Sequence, residues 1–202
     1  MQRSPPLAFT LLSLLPVTLL PAVCGAKEFR MTAETELNSI GKRVAAGDSI
    51  VLENGQWENV NLVFEKLPGS VDAPIHIRAR TPGQVVLTGR SVFRLSGTYV
   101  TVSGLVFRDT HDVSDVMQLR THSKRLARHC RITDCVFEQT EDSDPGIESR
   151  WLSIYGANNR IDHCYFVGKK SRGTTLVVWI GEELAGHRID HNHFGPRPEL
   201  GR

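Results

Sequence analysis

The chain has 202 residues, 40% hydrophobic and 23% charged, which suits one globular or solenoid domain. Its formal net charge of +2 gives no global pull toward nucleic acid. Arg3, the apolar run from Leu7 to Val23 and the small residues Gly25 and Ala26 predict a secretory signal peptide over residues 1–26. The mature chain, residues 27–202, is therefore expected to be secreted or periplasmic, with no membrane partner, because no other apolar run is long enough to span a bilayer. Cys130, Cys135 and Cys164 remain after cleavage, without zinc spacing, and read as buried reduced thiols.

From Thr32 to Ala46 the apolar residues Leu37, Ile40 and Val44 fall at helical spacing, with Thr32 as N-cap and Gly47 as stop. This predicts an amphipathic helix that caps the first coil of a solenoid. Short strands follow at Ser49 to Leu52, Ile75 to Ile77 and Val85 to Leu87, separated by Asn54-Gly55 and Thr81-Pro82-Gly83 turns.

Beyond these the chain repeats. Thr101 to Phe107 (TVSGLVF), Arg131 to Phe137 (RITDCVF), Arg160 to Phe166 (RIDHCYF) and Arg188 to Phe194 (RIDHNHF) end on phenylalanines 30, 29 and 28 residues apart. Each unit alternates apolar and polar residues, which argues for strands, and the period argues for stacked coils. Successive strands would lie parallel at about 4.8 Å, giving an all-β fold, a right-handed parallel β-helix of the pectin-lyase-like solenoid kind. Equivalent residues then stack. Ile132, Ile161 and Ile189 continue from Val102 in one inward column, the four phenylalanines form another, and Arg131, Arg160 and Arg188 stand beside Asp162 and Asp190.

A second strand series precedes each motif at Met117 to Leu119, Leu152 to Tyr155 and Thr175 to Trp179. With Leu152, Ile154, Leu176 and Val178 inward, alternation turns Trp151, Ser153, Tyr155, Val177 and Trp179 outward, where aromatics could stack on sugar rings or pack under loops. Gln118 to Arg131 carries Arg120, Lys124, Arg125 and Arg128 and no acid. It is either a solvated loop balanced by the acidic stretch after it or a basic lip on a groove for an anionic polymer. Arg150, Lys169, Arg172 and Trp179 are the candidate substrate-binding residues.

Three stretches resemble polysaccharide lyase family 6, which holds alginate lyases and chondroitinase B-type enzymes: Asn158 to Lys169, Arg172 to Trp179 and His187 to Pro198. The resemblance leans toward the alginate lyases. It implies cleavage of an anionic uronate polysaccharide, most simply alginate, by Ca²⁺-assisted β-elimination: the ion neutralises the carboxylate, a lysine takes the C5 proton and an arginine or water protonates the leaving O4. The family's calcium ligands, an Asn and a Glu-x-Glu pair, and its catalytic Lys and Arg have no counterpart in these stretches; Glu34 and Glu36 belong to the expected cap. No catalytic or metal-binding residue is therefore assigned. The calcium ligands are expected beyond Arg202, and the chain reads as the amino-terminal part of a lyase that is inactive alone. Of a different class is a non-catalytic β-helix that binds polysaccharide or serves as a surface adhesin.

Overall fold

A computed structural model of the chain describes residues 25–33, 43–140, 148–181 and 185–196. Its early coils are built from alternating runs too short for helices and punctuated by turns: β1 (Glu28–Met31), β2 (Ser49–Leu52), β3 (Gly55–Glu58), β4 (Asn61–Pro68), β5 (Ile75–Ala79), β6 (Val85–Gly89) and β7 (Val92–Thr98). The third coil holds β8 (Val100–Ser103), β9 (Leu105–Thr110), β10 (Asp115–Gln118), β11 (Arg120–His122) and β12 (Arg125–Arg128). Then follow β13 (Arg131–Thr133), β14 (Val136–Glu138), β15 (Arg150–Ile154), β16 (Arg160–Asp162), β17 (Tyr165–Val167), β18 (Leu176–Val178), β19 (Arg188–Asp190) and β20 (His193–Phe194).

These strands form three sheets wound as a right-handed parallel β-helix. The first runs β1-β2-β5-β8-β13-β16-β19, the second β11-β12-β7-β10-β15-β18 with β4 also on β7, and the third β20-β17-β14-β9-β6-β3. The described residues contain no helix. The expected capping helix falls mostly on residues 34–42, outside the described residues, and Arg43 to Ala46 are turn and irregular chain.

The register is the one that the repeat predicts. Ile132 faces Val102 on one side and Ile161 on the other, and Ile161 faces Ile189. Phe107, Phe137, Phe166 and Phe194 form one column with ring centroids 4.7, 5.0 and 4.9 Å apart and planes within 14° of parallel. Phe137 is fully buried, and burial of such a side chain contributes roughly 1.5–3 kcal/mol. Phe194, at 53% exposure, lies on β20, which among the described residues pairs with β17 alone. Cys130, Cys135 and Cys164 are buried free thiols, and burial pushes Cys130 up to about 11.

On the outer face of the first sheet the arginines clamp aspartates of the next coil. Arg131 holds Asp162 at 2.8 and 2.5 Å, and Arg160 holds Asp190 at 3.0 and 2.8 Å. Burial favours the neutral form of Asp162, but the bonds from Arg131 and His163 outweigh it and keep that carboxyl below its ordinary range. The corners after these strands require left-handed backbone, met by Gly104 (φ 75°), then by Asp134, His163 and His191 (φ 53°, 54° and 55°).

Candidate functional site

The second sheet carries the aromatic and basic side chains. Alternation in β15 places Leu152 and Ile154 in the core. Trp151, expected outward, is instead 3% exposed: at the entry of β15 its ring packs against Phe137, 6.4 Å away, and joins the core. Ser153 does lie on the outer parity but is fully buried, because Asp115 and Trp179 cover it. Tyr155 and Trp179 are the aromatics that reach the surface. Their rings stack at 5.9 Å and 6°, and Trp179 is 43% exposed.

Two cations sit on this pair. The Arg120 guanidinium lies 3.8 Å from the centroid of the Tyr155 ring, and that of Arg150 lies 5.8 Å from the centroid of Trp179. Arg150 is held from below by the buried Asp115, at 2.8 Å from Nε and 3.0 Å from Nη2. The same carboxylate accepts the hydroxyls of Ser153 and Ser114, and Ser153 Oγ accepts Trp179 Nε1–H at 3.4 Å. One buried acid thus orients both the cation and the indole. Burial alone would raise the Asp115 carboxyl; the bonds from Arg150 and Ser153 and the Arg150 charge bring it below the ordinary value.

The basic stretch from Gln118 to Arg131 is a hairpin, β11–β12, antiparallel within itself and returned to the helix by β12 pairing with Gly97 and Thr98 of β7. Most of the acidic stretch that follows (residues 141–147) lies outside the described residues; within them Arg125 pairs with Glu65 two coils back. Gly156 lets the hairpin settle: a Cβ there would stand 1.9 Å from the Ala127 carbonyl oxygen. Asn159, buried beneath, donates to the carbonyls of Ala127 and Tyr155 at 3.0 and 2.9 Å and so ties hairpin to aromatic. Between them opens a cleft of ≈ 700 Å³ lined by Lys124, Leu126, Arg128, Tyr155, Trp179 and Ile180 among others, with no acid among the described residues. Apolar floor, aromatic face and cationic rim suit an anionic sugar.

Of the four expected substrate-binding residues, the structure brings Arg150 and Trp179 together at the cleft, while Lys169 and Arg172 belong to the turn after β17. Lys169 is 2% exposed; its Nζ donates to Ser171 O, Ser171 Oγ and Arg172 O at 2.9, 2.6 and 3.1 Å and lies 5.7 Å from the centroid of the Trp151 ring. Its ammonium therefore braces a turn rather than a groove. Arg172 is exposed in that turn, opposite Glu148. Asp115 and Asn159 escaped the sequence reading. The signal for Asp115 was one acid directly preceding Val116 and Met117 in a strand; for Asn159 it was a paired asparagine at a coil corner.

The described residues hold no group of three or more His, Cys, Asp or Glu placed for a metal ion. Asp115, Asp162 and Asp190 already hold arginines with both oxygens, so these three do not fit Ca²⁺, which needs six to eight oxygen ligands.

The structure thus defines a parallel β-helix with an aromatic, cation-rimmed cleft on one sheet. The sequence profile of the Chondroitinase B family matches residues 31–202, and the chain belongs to that family, polysaccharide lyase family 6. Among solved structures, the family 6 alginate lyase AlyGC superposes with a TM-score of 0.80 at 37% identity over 86% of this chain and 24% of its own. A mannuronic acid-specific family 6 lyase from the human gut microbiota gives 0.76 at 29% identity over 87% of this chain and 42% of its own. The family 6 lyase from Pseudopedobacter saltans, at 22% identity and 0.66, shares the fold. The chain thus spans less than half the length of these relatives. No curated protein matches it.

Proposed function

We propose that this chain is the substrate-gripping part of an exported polysaccharide lyase that cleaves a uronate polymer, alginate foremost, by β-elimination. The observation that carries the reading is the Tyr155–Trp179 stack with Arg120 and Arg150 on its rings, beside a cleft lined by Lys124 and Arg128. A sugar ring laid on the exposed Trp179 face would place its carboxylate within the field of Lys124 and Arg128. In the elimination a base removes the C5 proton, the C4–O4 bond breaks, and the departing oxygen takes up a proton. The residues of this chain bind and orient the polymer for that step; calcium assistance belongs to the proposal for the whole protein. The alginate lyases AlyGC and the mannuronic acid-specific gut enzyme support the substrate class.

The test is retention on immobilised alginate against a neutral glucan, with Trp179→Ala beside the parent. The chain should bind alginate and release with salt, and Trp179→Ala should lose about tenfold in affinity, the scale of one ring-stacking contact. An unretained parent would overturn the reading. Cleavage that yields new reducing ends without the ultraviolet absorbance of a conjugated uronate double bond would replace the lyase by a hydrolase.

A further inference from the structure

The hairpin β11–β12 has a second depression on its far side. Its volume is ≈ 320 Å³, and Lys66, Ser96, Thr98 and Arg125 line it. Lys124, Leu126 and Arg128 line both hollows, so the hairpin is a crest between two halves of one surface. Among the described residues, the second lining contains four cations and no acid. It is also built rather than incidental. Lys66 sits in left-handed backbone (φ 54°) with its N–H donated to Ser96 Oγ at 3.0 Å, and Ser96 Oγ is bonded to Thr121 Oγ1 of the hairpin at 2.9 Å. Gly97 beneath approaches β4 so closely that a Cβ would stand 2.3 Å from the Leu67 carbonyl oxygen. Arg125 is pinned on the rim by Glu65, which takes up part of its charge; Lys66 and Lys124 are exposed beside it.

The geometry points to a second carboxylate-binding subsite in this hollow, which takes a further uronate unit of the same polymer after the chain has crossed the hairpin crest. The inference rests on the proposed uronate-polymer reading of the Trp179 cleft. It differs from that reading in chemistry: the Trp179 cleft offers stacking surface with charge at its edge, whereas the Lys66 hollow offers charge without an aromatic ring. A ligand long enough to occupy both gains a charge contact that a short one lacks, so affinity should rise with polymer length in a salt-sensitive way.

Titration calorimetry of the full chain with an alginate disaccharide and hexasaccharide tests this, using Lys66→Gln, Lys66→Glu and Trp179→Ala. Lys66 is exposed, so neither substitution removes core packing. Lys66→Gln should weaken hexasaccharide binding about three- to fivefold, the scale of one exposed charge pair, and leave the disaccharide unchanged. Lys66→Glu should weaken the hexasaccharide further and flatten its salt dependence, while Trp179→Ala weakens both ligands. Hexasaccharide affinity unmoved by either Lys66 variant, with Trp179→Ala still weakened, overturns the second subsite alone. Equal losses on both ligands also overturn it, since that is a long-range field and not a subsite. A parent chain that binds neither ligand overturns both readings.

Discussion

Asp115 is the position where one changed atom should disturb both the fold and the cleft. Asp115→Asn keeps the shape and removes the charge. The carboxylate accepts Arg150 at 2.8 and 3.0 Å and the hydroxyls of Ser114 and Ser153; the amide would present an N–H₂ donor toward at least one of these donors. Removing one partner of a fully buried pair costs about 3–5 kcal/mol. Arg150 retains 24% side-chain exposure and a second acid, Glu148, at 3.3 Å, so part of its charge remains compensated. The expected loss is thus about 2–3 kcal/mol at neutral pH, below that range. The pH dependence follows from the lowered carboxyl value in the folded state. The stabilisation is complete above the ordinary carboxylate value of about 4 and disappears as pH falls toward the lower folded-state value. Urea unfolding of parent and variant between pH 7 and pH 3 measures this, with the alginate affinity of each recorded at pH 7. Affinity should fall with stability, because Trp179 loses its Ser153 anchor and Arg150 its seat. A difference under 1 kcal/mol, or one that stays constant down to pH 3, would show that the carboxylate charge is not what holds the site.

Phe137→Ala should cost about 3–5 kcal/mol in chemical unfolding, because the rings of Phe107, Phe166 and Trp151 surround it and the ladder backbone prevents collapse of the hole. Phe194→Ala, in the same column but 53% exposed, should cost less than half as much; equal losses would mean that the column is not stacked as described. Gly156→Ala places a methyl group against the Ala127 carbonyl at a φ of 81°, which should destabilise by about 3 kcal/mol or more and weaken oligosaccharide binding by lifting the hairpin. Retained stability with unchanged binding would show that Gly156 does not pin the hairpin.

The coil was legible in the sequence because a parallel β-helix is nearly one-dimensional: each residue meets its equivalent one period away, so a spacing of 28 to 30 converts directly into contacts. The isoleucine and phenylalanine columns and the Arg–Asp clamps follow from that rule, as do the strands Ser49–Leu52 and Arg160–Asp162. The less regular strands β3, β4 and β7 were not read, since the first coils depart from the repeat and their pairing is settled by neighbours rather than by local pattern. Trp151 shows the limit of alternation: although its parity is outward, its ring packs on Phe137 and is buried with the core.

The sequence by itself determined the period, the inward columns and the family, because these are properties of spacing and of long motifs. Only the tertiary structure decided which cations are available to a ligand. Lys169 and Arg150 are both basic residues beside turns, yet one is buried against carbonyls and Trp151 while the other rests on Asp115 beneath Trp179. Arg150 acquires its role from an acid 35 residues back in the chain, and other contacts of this surface, Ser96–Thr121 and Arg125–Glu65, likewise join coils 25 to 60 residues apart. No local pattern encodes such encounters.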